Sequence, residues 1–255
     1  MIVRKSQAEI DALREAGRVV AVAHEAIREA AVVGTTLLEL DAIADQVLRD
    51  AGATSAFRGY QPHFAPSPFP GVICASVNDV VVHGIPDHYA LQDGDVCSID
   101  LGAVLDGWVG DAAVTHLIGT PRPEDVELAR RTDEALAAGI AAAVPGNRIG
   151  DIAAAIGAIA AAHGYGTPAG WGGHGVGREM HEDPSVPNEG RPGRGLKLKP
   201  GLVIAIEPMF MAGGGHDVRI DADGWTVRTV DGTRAAHSEH TIAVTEDGPR
   251  ILTTP

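Results

Sequence analysis

The stretch SIDLGAVLDGWVGD, Ser98 to Asp111, sets two aspartates, Asp100 and Asp111, in an otherwise apolar run. Between them lies Asp106-Gly107, a dipeptide suited to a two-residue hairpin turn. With those two residues as the turn, Leu105 faces Trp108, Val104 faces Val109 and Gly102 faces Asp111. Asp100 and Asp111 are then diagonal neighbours on one face, roughly 7–8 Å apart at the backbone, close enough for their carboxylates to meet a common ion. A three-residue loop would shift the register by one and put them on opposite faces. The bland use of the pair is local: Asp111 starts a turn or caps a backbone group, and Asp100 finds a donor. Two buried like charges otherwise need a proton or a cation between them.

Outward from the hairpin, the chain reads as an α+β protein that repeats its plan. SQAEIDALREAGRVVAVAHEAIREAA has apolar residues at helical spacing, with Ser6 and Glu9 in a capping-box pattern and Gly34 as its expected stop. TLLELDAIADQVLRDAG predicts a second helix closed by Gly52. GYQPHFAPSPFPG is a loop, followed by the β-like runs GVICASVN, DVCSIDLGAVL and WVGDAAVTHLIG. After Pro121 a long helix and a second helical run follow. A shift of about 112 residues superposes Gly34 on Gly146, Leu40 on Ile152 and Gly52 on Gly164. A shift of about 107 superposes GDVCSID on GLVIAIE, so that Asp100 falls on Glu207. Amphipathic helices resemble one another, so the first match alone is weak; the second puts an acid on an acid. The reading is two related halves in one domain, residues 1–255, with the acids at the shared seam.

With 255 residues, 45% apolar and 21% charged, the chain has the composition of an ordinary globular protein. Its net charge of −14 argues against general nucleic-acid or anionic-membrane binding. The N-terminal segment lacks an apolar stretch of signal-peptide length, and the longest apolar run, Ile152–Ala162, is too short to span a bilayer. A cytoplasmic location is expected. Two cysteines, Cys74 and Cys97, with no Cys-x-x-Cys fit a reducing compartment better than a disulfide or a thiolate metal site.

Further candidates lie at strand ends and glycine turns. Glu207 closes the apolar run LVIAIE and precedes a proline, while Glu239 starts the alternating strand HSEHTIAVT. His174 and His181 stand in WGGHGVGREMHEDP, where the glycines let backbone approach a site but make a regular helix doubtful; spacing alone does not bring these histidines together. His83 follows a β-like run in NDVVVHGIPD. Each of these residues alone fits a salt bridge or a solvated loop. Together, four carboxylates cannot share a low-dielectric site unneutralised. Two divalent cations would neutralise them, and carboxylates with an imidazole suit Mn, Fe, Co or Zn. The chemistry implied is metal-assisted hydrolysis.

Five motifs now stand in order: CASVNDVVVHGIP, DGDVCSIDLGAVLDGWVGDAA, GGHGVGREMHEDP, LKPGLVIAIEPM and DGWTVRT…SEHTIAVT. In these the chain resembles the type I methionine aminopeptidases of peptidase family M24, in their short bacterial form, from about Ser6 to Leu252. The resemblance implies the pita-bread (creatinase/aminopeptidase) fold, with its pseudo-two-fold symmetry, and removal of the N-terminal methionine from nascent polypeptides, with a small second residue favoured. It implies two divalent metal ions per chain. Asp100 would chelate one, Asp111 and Glu239 would bridge both, and His174 and Glu207 would hold the second. A bridging hydroxide would attack the carbonyl, with Glu207 sharing in proton transfer, His83 at the scissile amide nitrogen and His181 at the carbonyl. Cys74, Phe69 and Trp225 would line the methionine pocket. Met180 stands where the family usually has an aromatic residue, which implies a looser pocket. Only 25 residues separate His181 from Glu207, too few for the insertion of type II enzymes.

The runner-up is a proline-directed relative, aminopeptidase P or prolidase, which normally carries an additional N-terminal domain. A non-catalytic binding module on the same fold would typically have lost ligands. A magnesium-dependent phosphohydrolase would call for a phosphate-cradling glycine motif with a lysine, which this sequence lacks. A monomer is the default expectation, and any transient ribosome contact would have to run through a local patch, given the net charge.

Overall fold

The structure, a computed structural model, describes residues 2–63 and 65–255. Phe64, in the predicted proline-rich loop, lies outside the described residues. The chain runs α1 (Gln7–Ala30), α2 (Leu37–Asp50), β1 (Thr54–Ser55), β2 (Ile73–Val77), β3 (Val80–Val82), β4 (Val96–Leu105) and β5 (Trp108–Leu117). It continues through α3 (Pro123–Ala142), α4 (Ile149–His163), β6 (Gly172–Gly175), β7 (Glu182–Pro187), β8 (Val203–Ile206) and β9 (Met209–Met211). The last elements are β10 (Val218–Ile220), β11 (Val227–Thr229), β12 (Ala235–His237), β13 (His240–Thr245) and β14 (Gly248–Ile251).

Capping chemistry sets the helix starts. Ser6 with Glu9, and Thr36 with Glu39, form complete capping boxes at α1 and α2. Helix α1 stops at Ala30, four residues before the expected Gly34. The Ala31 N–H bonds the Ile27 carbonyl and the Thr35 hydroxyl donates to the Ala30 carbonyl at 2.8 Å, so backbone and side chain together close the helix, and Gly34, at φ +94°, turns the chain toward α2.

The β4–β5 hairpin has the expected register: Leu105 pairs Trp108, Val104 pairs Val109 and Gly102 pairs Asp111. Asp106 and Gly107 take φ values of 50° and 74°, the left-handed pair that a two-residue turn requires. Strand β4 is central in its sheet, with β5 on one side and β1 and β2 on the other. Helices α1 and α2 cover it through Val20, Ile27, Leu40 and Leu48, packed against Ile99 and Leu101. In the second half, a sheet ordered β14-β13-β8-β6-β7 is covered by α3 and α4 through Leu136, Ile152 and Ile156, against Ile204 and Ile206.

The internal repeat is visible in the backbone. Gly34 (φ +94°) matches Gly146 (φ +96°), and Gly52 (φ +71°) matches Gly164 (φ +73°). The bond from Gly34 N–H to the Leu91 carbonyl recurs from Gly146 to Leu198, and the bridge Thr36–Ala90 recurs as Arg148–Lys197. These pairs keep the two offsets read from the sequence. The halves meet along β5 and β13, where the Thr241 hydroxyl donates to the Asp111 carbonyl at 2.8 Å and Glu239 N–H donates to the Ala113 carbonyl at 2.9 Å.

Candidate metal centre

Both acids of the opening hairpin reach that seam. Asp111 is 1% exposed and Glu239 2%, while Asp100 opens partly onto a cavity. Glu207 leaves the end of β8, held there by Asn188, whose side-chain amide donates to its carbonyl at 3.0 Å. His174, on β6, donates from Nδ1 to the Gly175 carbonyl at 3.0 Å, the tautomer that leaves Nε2 with a free lone pair. That Nε2 lies 3.7 Å from Asp111 Oδ2 and 3.7 Å from Glu207 Oε1. Donor atoms of Asp111, His174 and Glu239 converge within 4.8 Å of one another, and those of Glu207, His237 and Glu239 do the same. The two triads share Glu239.

His237 is the residue that sequence reasoning missed. A signal for it existed: in AAHSEH it stands two residues before Glu239, the spacing that puts extended side chains on one side. Its Nε2 comes within 3.3 Å of Glu207 Oε2, without the geometry of a well-formed hydrogen bond.

The electrostatics are those of a site lacking positive charge. Burial, reinforced by Asp111 and Glu207, pushes Asp100 well above the usual carboxylate range. Burial likewise drives Glu239 well up, and lifts Asp111 to about 7 against the opposing pull of His174. Glu207 goes the other way: burial would raise it, but His237, His174 and His83 together hold it below its ordinary value. Oxygens of Asp100, Asp111 and Glu239, and Nε2 of His237, are buried without a hydrogen-bond partner. Such orphaned atoms, converging from acids with little other cation nearby, fit divalent metal ions.

A cavity of about 280 Å³ opens from Asp100, His174 and Glu207. One wall is apolar: Phe57, Phe69, Cys74 and Trp225 cluster there, with Met180 and Tyr60 packed against them. The Phe69 and Trp225 rings meet edge to face at 5.1 Å. Cys74, Phe69 and Trp225, the three residues expected to line a methionine pocket, therefore lie together, with Met180 against them. His83 follows β3 with φ 59°, its ring 5.1 Å from Trp171 and 6.1 Å from Trp225. The left-handed turn is held because Gly84 packs against the Ala75 carbonyl, where a Cβ would sit at 2.2 Å. Burial keeps the His83 imidazole neutral, with its pKa lowered to about 4. His181 stands exposed at the cavity edge, its ring 4.3 Å from that of His174 and 5.3 Å from that of Tyr60. The fold thus joins two histidines that sequence spacing left apart. Phe57, Tyr60, Trp171 and Met209 also line the cavity and carried no sequence signal of their own.

A doubled α+β fold with a carboxylate–imidazole cluster at its seam and a pocket beside it defines a metal-dependent hydrolase. The chain belongs to metallopeptidase family M24, whose profile matches residues 11–246. It is 54% identical over 260 residues to methionine aminopeptidase 1 of Mycobacterium tuberculosis, covering 99% of this chain and 95% of that one. It is 45% identical over 253 residues to methionine aminopeptidase 1 of Bacillus subtilis, covering 99% of each. The crystal structure of methionine aminopeptidase from Thermotoga maritima superposes with a TM-score of 0.95 at 41% identity, covering all of both chains. The architecture is the pita-bread fold. Among the described residues no helix is long and apolar enough to cross a membrane.

Proposed function

We infer that the chain is a methionyl aminopeptidase, hydrolysing the bond after an N-terminal methionine. The observation that carries this is the apolar wall of Phe57, Phe69, Cys74 and Trp225, which opens directly onto the acids and His174. An unbranched thioether suits such a wall, because sulfur packs favourably against aromatic edges. Asp100, Asp111, His174, Glu207 and Glu239 would hold two divalent ions, drawn from Co, Mn, Fe or Zn. When bound, these ions supply Lewis acidity and lower the pKa of water. Glu207, kept charged by the histidines around it, accepts the proton of the attacking water and passes it to the leaving amine. His83, neutral and braced by Trp171 and Trp225, hydrogen-bonds the scissile amide. His181 donates to the carbonyl oxygen as it gains charge. The chain acts as one catalytic domain, residues 1–255, and as a monomer. Its two free, buried thiols, Cys74 and Cys97, support a cytoplasmic setting.

The test uses metal-stripped protein with Mn, Co, Fe or Zn returned singly, given Met-Ala-Ser and Ala-Pro-Ala peptides. Methionine release that requires metal and vanishes in Asp111→Ala supports the assignment. Alanine release from the Xaa-Pro peptide, with Met-Ala-Ser untouched, moves the chain to the proline-directed branch. No release from either peptide despite bound metal favours a binding module.

A further inference from the structure

His237 is fixed more firmly than a bystander would be. Its backbone N–H donates to the hydroxyls of Ser98 at 3.2 Å and Thr115 at 3.1 Å, and its backbone carbonyl accepts from Thr115 at 2.8 Å. Across β12–β9 it pairs with Met209, two residues after Glu207. The imidazole is 2% exposed, yet Nε2 has no hydrogen-bond partner. Its nearest polar neighbour is Glu207 Oε2 at 3.3 Å, in poor hydrogen-bond geometry, so a purely packing role explains this ring poorly. What lies before Nε2 is the space between Glu207 and Glu239.

The two oxygens of Glu207 are divided between imidazoles: Oε1 lies toward His174 and Oε2 toward His237. The five-residue set offers a single imidazole to the whole centre. With His237 included, each triad around Glu239 has two carboxylates and one imidazole. A neutral donor leaves the charge of four carboxylates balanced by two divalent ions. We propose that His237 is a sixth protein donor of the metal centre, binding through Nε2 on the Glu207–Glu239 side. This rests on the metallopeptidase reading above. A second nitrogen donor shifts preference toward Co, Zn and Fe and away from Mn, which favours oxygen.

The test loads the full, metal-stripped chain with Co(II) and counts imidazole N–H proton resonances moved far outside the ordinary range by contact with the ion. Two such signals are expected in the natural protein. His174→Gln should remove one and His237→Gln the other, with Zn(II) affinity falling at least tenfold in His237→Gln and Mn(II) affinity falling less. The count in the natural protein stands even where a variant fails to fold, and His237→Asn provides a second substitution. Co(II) bound with the His174 signal alone, and Zn(II) affinity unchanged in His237→Gln, overturns the assignment of His237 while leaving the metal centre intact. No Co(II) binding by the natural protein overturns both.

Discussion

Arg178 lies over Trp108, its guanidinium carbon 3.8 Å from the ring centroid. Its Nη1 also donates to the carbonyls of Asp106 at 3.0 Å and Gly107 at 3.1 Å. Trp108 and both carbonyls belong to the hairpin that carries Asp100 and Asp111, whereas Arg178 belongs to the segment between His174 and His181. One exposed side chain therefore joins the two metal-site segments. Beneath it, Glu182 accepts from the Arg178 N–H and pairs with Lys5 at 2.6 Å, tying the same segment to the N-terminus.

Arg178→Lys should loosen this clamp. A lysine keeps the charge but cannot lie flat on the indole while reaching two carbonyls. At this exposed position the loss should be about 1 kcal/mol, read as a lower urea midpoint, with metal affinity falling a few-fold. An unchanged midpoint and unchanged metal affinity would show that the hairpin needs no such tie.

Gly110→Ala should be far more costly than an alanine on an open strand. A Cβ at Gly110 would lie 2.6 Å from the Gly17 nitrogen, and one at Gly17 would lie 2.3 Å from the Leu252 carbonyl oxygen. Helix α1 crosses β5 at this glycine pair, beside Asp111. The clash is with backbone, so the neighbours cannot rotate away, and overpacking costs about 1–3 kcal/mol or more. Thermal unfolding should come several degrees lower in Gly110→Ala; a midpoint within error of the parent would mean that α1 can ride outward freely.

The hairpin register and the repeat were legible because both are local. Asp106-Gly107 favours a two-residue turn, and period-two alternation then fixes which side each aspartate takes. The acids were legible because Glu207 and Asp111 break apolar runs. His174 and His181 were not legible as neighbours, since their proximity comes from a glycine-rich bend after β6, which follows no period. His237 was hidden for a related reason. One histidine at a strand end is unremarkable until β12 docks on β4 and β5, and that docking depends on Ser98 and Thr115, more than a hundred residues away. The end of α1 fell short of Gly34 because the Ala31 N–H, bonded to the Ile27 carbonyl, and the Thr35 hydroxyl, bonded to the Ala30 carbonyl, close the helix first.

His24 should make the protein acid-sensitive. It sits inside α1, with Nε2 2.9 Å from the Ala112 carbonyl, and burial lowers its pKa to about 4. The unfolded chain takes up this proton near 6.5, and the folded chain only near 4. The contribution of His24 to stability is therefore complete above pH 6.5 and is lost as pH drops toward 4, by up to the order of 3 kcal/mol, opposite in sign to the contribution of the metal-site acids in metal-free protein. His24→Gln should flatten this slope without removing it, because His116 is shifted the same way. Urea midpoints at pH 7.5 and 5.0 for both proteins give the comparison; parallel slopes would rule out His24 as a contributor.

Asp111→Asn should separate function from stability. In metal-free protein, Asp111 titrates near 7 and Asp100 and Glu239 are also raised, chiefly by burial, while the same acids in the unfolded chain ionise near 4. A raised folded pKa means the folded state holds its proton longer, so metal-free stability declines as pH rises from about 4 through 7. Asparagine has no proton to lose. Metal-free Asp111→Asn should therefore be more stable than the metal-free parent at pH 8 and gain little at pH 4, while losing metal binding and activity. Metal loading of the parent at pH 6.5 should release protons to a weak buffer, because the incoming ions replace them on the carboxylates. Thermal melts at the two pH values, with pH-indicator titration of metal, measure both effects. A variant no more stable than the parent at pH 8, with no proton release from the parent, would mean that these acids are already satisfied without an ion.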